Sequence, residues 1–73
     1  MKRILVVEDN EDNLYLIRFI LEKNGHEVIE AKTGLKGVEV AAKEKPDLIL
    51  MDIHHIQIPQ SFYLISQFNI IPI

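Results

Sequence analysis

Apolar residues in this chain follow two patterns that alternate along the sequence. Arg3–Val7 is a short β-branched run closed by the acids Glu8 and Asp9, which predicts a buried strand. Leu14, Ile17, Ile20 and Leu21 then recur at helical spacing, with Arg18, Glu22 and Lys23 on the other side. Asn10 or Asp12 can cap this helix, because a short side-chain oxygen accepts from free N–H groups of the first turn. Asn24-Gly25 can end it, since glycine tolerates a left-handed turn. Glu27–Ala31 predicts a second strand, and Thr33 caps a second helix with Leu35, Val38, Ala41 and Ala42 as its apolar face. Pro46 stops that helix, having no N–H to donate. Asp47–Met51 predicts a third strand, apolar on both faces through Leu48-Ile49-Leu50-Met51.

Strands alternating with helices predict an α/β fold, a parallel sheet of order 2-1-3 with two right-handed crossover helices. In that order strand three is an edge. An open apolar edge recruits another chain, so we expect a homo-oligomer built through strand-three edges, tail packing or tail exchange. The tail itself, Ser61–Ile73, is strand- or helix-capable. Phe62, Ile65, Phe68 and Asn69 would share a helical face, so part of 60–69 is expected to be helical.

Charge sharpens this division. All eight basic and all eleven acidic residues lie within positions 1–52, and from Ile53 to Ile73 the chain has no Lys, Arg, Asp or Glu. We expect a boundary near position 53, with residues 1–53 and 54–73 as distinct parts. With 73 residues the chain is one domain at most, and its core is marginal. The net charge of −3 argues against nucleic acid as a partner, which calls for a basic patch. No cysteine is present, so neither disulfides nor thiolate chemistry are available. The apolar run after Met1-Lys2-Arg3 is too short for a signal peptide and ends in acids, and no span of ~20 apolar residues exists. The expectation is a cytoplasmic chain with no membrane contact.

Parallel α/β sheets carry their functional crevice at the carboxyl ends of the strands. Glu8 and Asp9 follow strand one and Asp52 follows strand three, so the topology brings three carboxylates to one end of the sheet. Singly, each reads as a solvated acid at a strand end. As a set they repel one another unless a cation lies between them, and oxygen ligands suit Mg²⁺. Such an ion also neutralises an arriving phosphoryl group, and an aspartate can carry that group as an acyl phosphate.

Ile4-Leu5-Val6-Val7-Glu8-Asp9-Asn10, Gly25-His26-Glu27-Val28, Ala31-Lys32-Thr33-Gly34 and Pro46-Asp47-Leu48-Ile49-Leu50-Met51-Asp52-Ile53, in that order, resemble a response-regulator receiver domain in register. The likeness covers residues 1–53 without a gap. It implies a truncated flavodoxin-like sheet and a signalling module rather than an enzyme. It implies that Asp52 accepts a phosphoryl group from a histidine kinase, a phosphotransfer protein or a small acyl phosphate. It further implies Mg²⁺ held by Asp9 and Asp52, by Glu8 through water, and by the backbone carbonyl of His54.

The tail departs from the family pattern. The family pairs the phosphoryl group with a Lys after strand five, and the tail has no Lys. No motif puts Ser61 or Ser66 in the family's Ser/Thr sensing role. The family favours Pro four residues after the phosphoacceptor, where Ile56 stands here, and Pro59 comes three residues later. A second reading is therefore a receiver remnant without a switch, acting as an oligomeric or interaction protein. A nucleotide- or flavin-binding α/β protein ranks last, because Glu8-Asp9-Asn10 replaces a glycine-rich phosphate loop. His54 and His55, as chain neighbours, would point to opposite faces of a strand, which favours a solvated or packing role over joint metal ligation.

Overall fold

The computed structural model describes residues 1–73. In chain order the elements are β1 (Arg3–Val7), α1 (Glu11–Lys23), β2 (Glu27–Ala31), α2 (Gly34–Glu44), β3 (Leu48–Met51), a 3₁₀ helix (Gln60–Ile65) and β4 (Ile70–Pro72). The strands form one parallel sheet of order β2-β1-β3-β4. The 2-1-3 arrangement of the first three strands is as the sequence predicts, and the tail adds a fourth.

The helix ends follow the local chemistry. Asn10 Oδ1 accepts from the Asn13 N–H at 2.9 Å, and Thr33 Oγ1 accepts from the Lys36 N–H at 3.0 Å. Gly25 ends α1 at φ 84°, with the His26 N–H donating to Leu21 O and the Gly25 N–H to Glu22 O. Ahead of Pro46, Lys45 takes the left-handed conformation (φ 47°) and its N–H donates to Ala41 O.

The core has two sides. Leu5, Val7, Ala31, Ile49 and Met51 lie under α2 and the 3₁₀ helix, together with Val38, Ala41, Ile56 and Ile65. Ile4, Val6 and Val28 lie under Leu14 of α1. The buried face of α2 is Gly34, Gly37, Val38 and Ala41, whereas Leu35 and Ala42 are exposed. The face expected from the sequence was rotated, because a helix this close to the sheet turns its glycines inward: a Cβ on Gly37 would sit 2.9 Å from Val7 Cγ2. On α1, Ile20 is likewise half exposed, and Leu14, Ile17 and Leu21 carry the packing.

The tail bears out one expectation and corrects another. Part of 60–69 is helical, as a 3₁₀ helix that ends at Ile65, and the chain then extends into β4. The β3 edge is therefore not open. The Ile49 N–H donates to Asn69 O at 2.8 Å and the Ile73 N–H to Met51 O at 2.9 Å. Hydrogen bonding to a neighbour alternates along a strand, so the backbone groups of Ile70 and Pro72 point away from β3. Proline on the outward side loses no ladder bond and blunts the new edge. Association through β3 edges is thereby closed off. The α1 side of the sheet is less fully covered: Leu48 and Leu50 are only partly buried, and Ile71 is 47 % exposed.

Candidate functional site

β1 and β3 run parallel in register, with Val7 beside Met51, so both strands end at the same edge. There the chains part. The Glu8 N–H donates to Ala31 O on β2 at 3.0 Å, and the Asp52 N–H donates to Val7 O on β1 at 3.2 Å. These bonds bring the residues after the two strands together although they are far apart in sequence. Glu8 is 3 % exposed and Asp52 8 %. Burial of this kind is costly for carboxylates unless they are hydrogen-bonded. Glu8 Oε2 accepts from the Asn10 N–H at 3.1 Å, and Asp52 Oδ1 accepts from the His54 N–H at 3.2 Å. Neither side chain has a buried oxygen without a partner, so the second oxygen of each opens to solvent.

That opening is a pocket of about 310 Å³ lined by Glu8, Asp9, Asn10, Asn13, Asp52 and His55, with no apolar residue. Of the residues singled out in the sequence, it gathers Glu8, Asp9 and Asp52. His54 contributes its backbone N–H to Asp52. Three lining residues carry no sequence signal that assigns them to the site. The sequence marks Asn10 only as a cap, and Asn13 follows from it, one helical turn along the same face. The sequence favours a solvated or packing role for His55, on the premise of a strand. The chain instead turns there, with the His55 and Ile56 N–H groups donating to Asp52 O at 3.3 and 3.0 Å. The turn brings His55 to the pocket wall.

The loop after Asp52 is held from below. Ile56 is buried in the core, and Gly34 at the start of α2 lies so close that a Cβ there would meet Gln57 O. A second groove, of about 450 Å³, adjoins the pocket and shares Asp9 and His55 with it. Lys32 lines this groove, and its ammonium is engaged by Glu11, which holds it above the usual lysine range.

The donor set is of the kind a hard divalent cation takes: three carboxylates, two of them with one oxygen free. No three His, Asp or Glu side chains are already gathered closely enough to chelate an ion. Side-chain rotation of the exposed Asp9 would be part of any such binding.

Comparison with known proteins agrees with this topology. The sequence profile of the response regulator receiver domain matches residues 4–60. Protein PilH of Pseudomonas aeruginosa is 49% identical over 53 residues, which are 73% of this chain and 44% of PilH. The polar-differentiation response regulator DivK of Brucella anthropi is 44% identical over 59 residues, 81% of this chain and 46% of DivK. The chain thus spans about half the length of the curated relatives it matches. A crystal structure of a response regulator receiver domain protein from Clostridium thermocellum superposes with a TM-score of 0.78 at 22% identity, covering 96% of this chain and 62% of that one. At that identity the likeness speaks for the fold, and the sequence matches speak for the family. This chain belongs to the response regulator receiver domain family of two-component signalling.

Proposed function

We propose that the chain is a Mg²⁺-dependent phosphoacceptor module and that Asp52 is the residue modified. The observation that carries this is the state of Asp52: nearly buried, oriented through Oδ1 by the His54 N–H, with its other oxygen open to a wholly polar pocket. A positioned carboxylate oxygen is what in-line attack on phosphorus requires. The attack forms the Asp52 O–P bond and breaks the donor's P–N or P–O bond, and the donor leaves with the electron pair. Glu8 and Asp9 would hold the cation with Asp52 and the His54 carbonyl. When bound, the ion neutralises charge that the phosphoryl group brings into this acidic pocket.

The donor is a histidine kinase, a phosphotransfer protein or a small acyl phosphate. In this reading residues 1–53 carry the chemistry and residues 54–73 cover the sheet. We place the module in the cytoplasm beside its donor; no helix of the chain is long and apolar enough to cross a membrane. We further propose self-association, through the incompletely covered β3–β4 face and the tail. A second reading, a receiver remnant that does not switch, is favoured by one feature: the tail supplies no cation to read the phosphorylated state.

Intact mass spectrometry after incubation with Mg²⁺ and acetyl phosphate separates the two. One added phosphoryl group, dependent on Mg²⁺ and lost in Asp52→Ala, is the expected outcome. An unchanged mass under conditions that label a complete receiver would establish the remnant.

A further inference from the structure

We infer that His55 is a positioning residue for the phosphoryl group: its imidazole N–H donates to a phosphoryl oxygen on Asp52 and sets how long the group stays there. The inference rests on the proposed modification of Asp52 and goes beyond it.

Three observations converge on His55. The pocket that opens over Asp52 is lined by Glu8, Asp9, Asp52, Asn10, Asn13 and His55, so His55 is its only residue with a ring N–H to offer. The turn hydrogen bonds from the His55 and Ile56 N–H groups to Asp52 O fix the backbone of His55 one turn from the acceptor, and the buried Ile56 anchors that turn. His55 and Asp9 are also the two residues common to the pocket and the neighbouring groove, so together they form the wall between them.

Charge accounting indicates what this wall residue would do. A phosphoryl group on Asp52 brings about two negative charges beside Glu8 and Asp9. The nearby lysine, Lys32, lines only the neighbouring groove and is engaged by Glu11. Arg3 is tied to Glu44 and Glu27, and Arg18 to Glu30 and Glu22. Beyond Asp52 the chain offers no Lys or Arg. His55 is left as the ring donor that can meet a phosphoryl oxygen without breaking an existing ion pair. A neutral imidazole retains one N–H for this purpose.

The test compares the full chain with His55→Gln, which keeps an N–H donor, and His55→Leu, which keeps bulk without one. Each is labelled with acetyl phosphate and Mg²⁺, the donor is removed, and the phosphorylated fraction is followed by intact mass. Binding of beryllofluoride, an acyl-phosphate mimic, is titrated in parallel by fluorine NMR. We expect His55→Leu to shorten the phosphoryl half-life and weaken beryllofluoride binding by about tenfold, and His55→Gln to recover most of both. Circular dichroism of the unlabelled proteins should be unchanged, since His55 is exposed. A wild-type chain that labels normally, with His55→Leu equal to it in half-life and beryllofluoride affinity, overturns the His55 role alone. A wild-type chain that never labels overturns both that role and the assignment of Asp52.

Discussion

At the scale of single residues, close approach decides more than hydrophobicity does. Gly37 faces Val7, which is fully buried on β1, a strand paired with β2 on one side and β3 on the other. Alanine at a helical glycine ordinarily gains about 1 kcal/mol in helix propensity. Here the added Cβ would lie 2.9 Å from Val7 Cγ2, and overpacking of this kind costs about 1–3 kcal/mol. A β-branched side chain on a central strand has little room to turn, so Gly37→Ala should lower stability by about 1 kcal/mol net, read from the urea midpoint. Combining it with Val7→Ala should cost less than the sum of the two, because the pair shares one contact. Simple additivity would show that the clash is not the cause.

At the scale of elements, the tail is what completes the sheet. Ile65 at the end of the 3₁₀ helix is fully buried against the sheet core, and Asn69–Ile73 then pairs with β3. A chain of this length is expected to be stable by about 4–11 kcal/mol, from roughly 0.05–0.15 kcal/mol per residue. Truncating a buried isoleucine to alanine costs about 2–5 kcal/mol. Ile65→Ala should therefore remove about a fifth or more of the total, with loss of amide-exchange protection in β3 and β4. Leu64→Ala, one residue away but half exposed, should stay within about 0.5 kcal/mol of wild type. Equal effects at the two positions would contradict the packing of the tail described above.

At the scale of the whole molecule, the two sides of the sheet are unequally covered. α2 and the 3₁₀ helix bury one side from β2 to β4, whereas α1 rests on β1 and β2 and leaves Leu48, Leu50 and Ile71 partly open. Leu16 and Ile20 of α1 are also half exposed. If this face mediates the proposed self-association, sedimentation velocity should show a mass that rises with concentration, and Ile71→Lys should return the chain to monomer. A wild-type monomer at high concentration would sink the proposal.

Much of the fold was legible without coordinates, because strands and helix caps are local events. The bounds of β1 and β2, the caps Asn10 and Thr33, and the stop at Asn24-Gly25 follow from side chains acting on their own neighbours. So does the gathering of Glu8, Asp9 and Asp52, since parallel topology alone brings the ends of β1 and β3 together. Tertiary structure decided the rest. Which face of α2 turns inward depended on its distance from Val7, a quantity that hydrophobic spacing does not contain. His55 reached the pocket because the chain turns after Asp52 instead of continuing as a strand. The charge-free tail could have been helix or strand by its own pattern, and the unpaired edge of β3 made the choice by offering hydrogen bonds that only an extended segment can take.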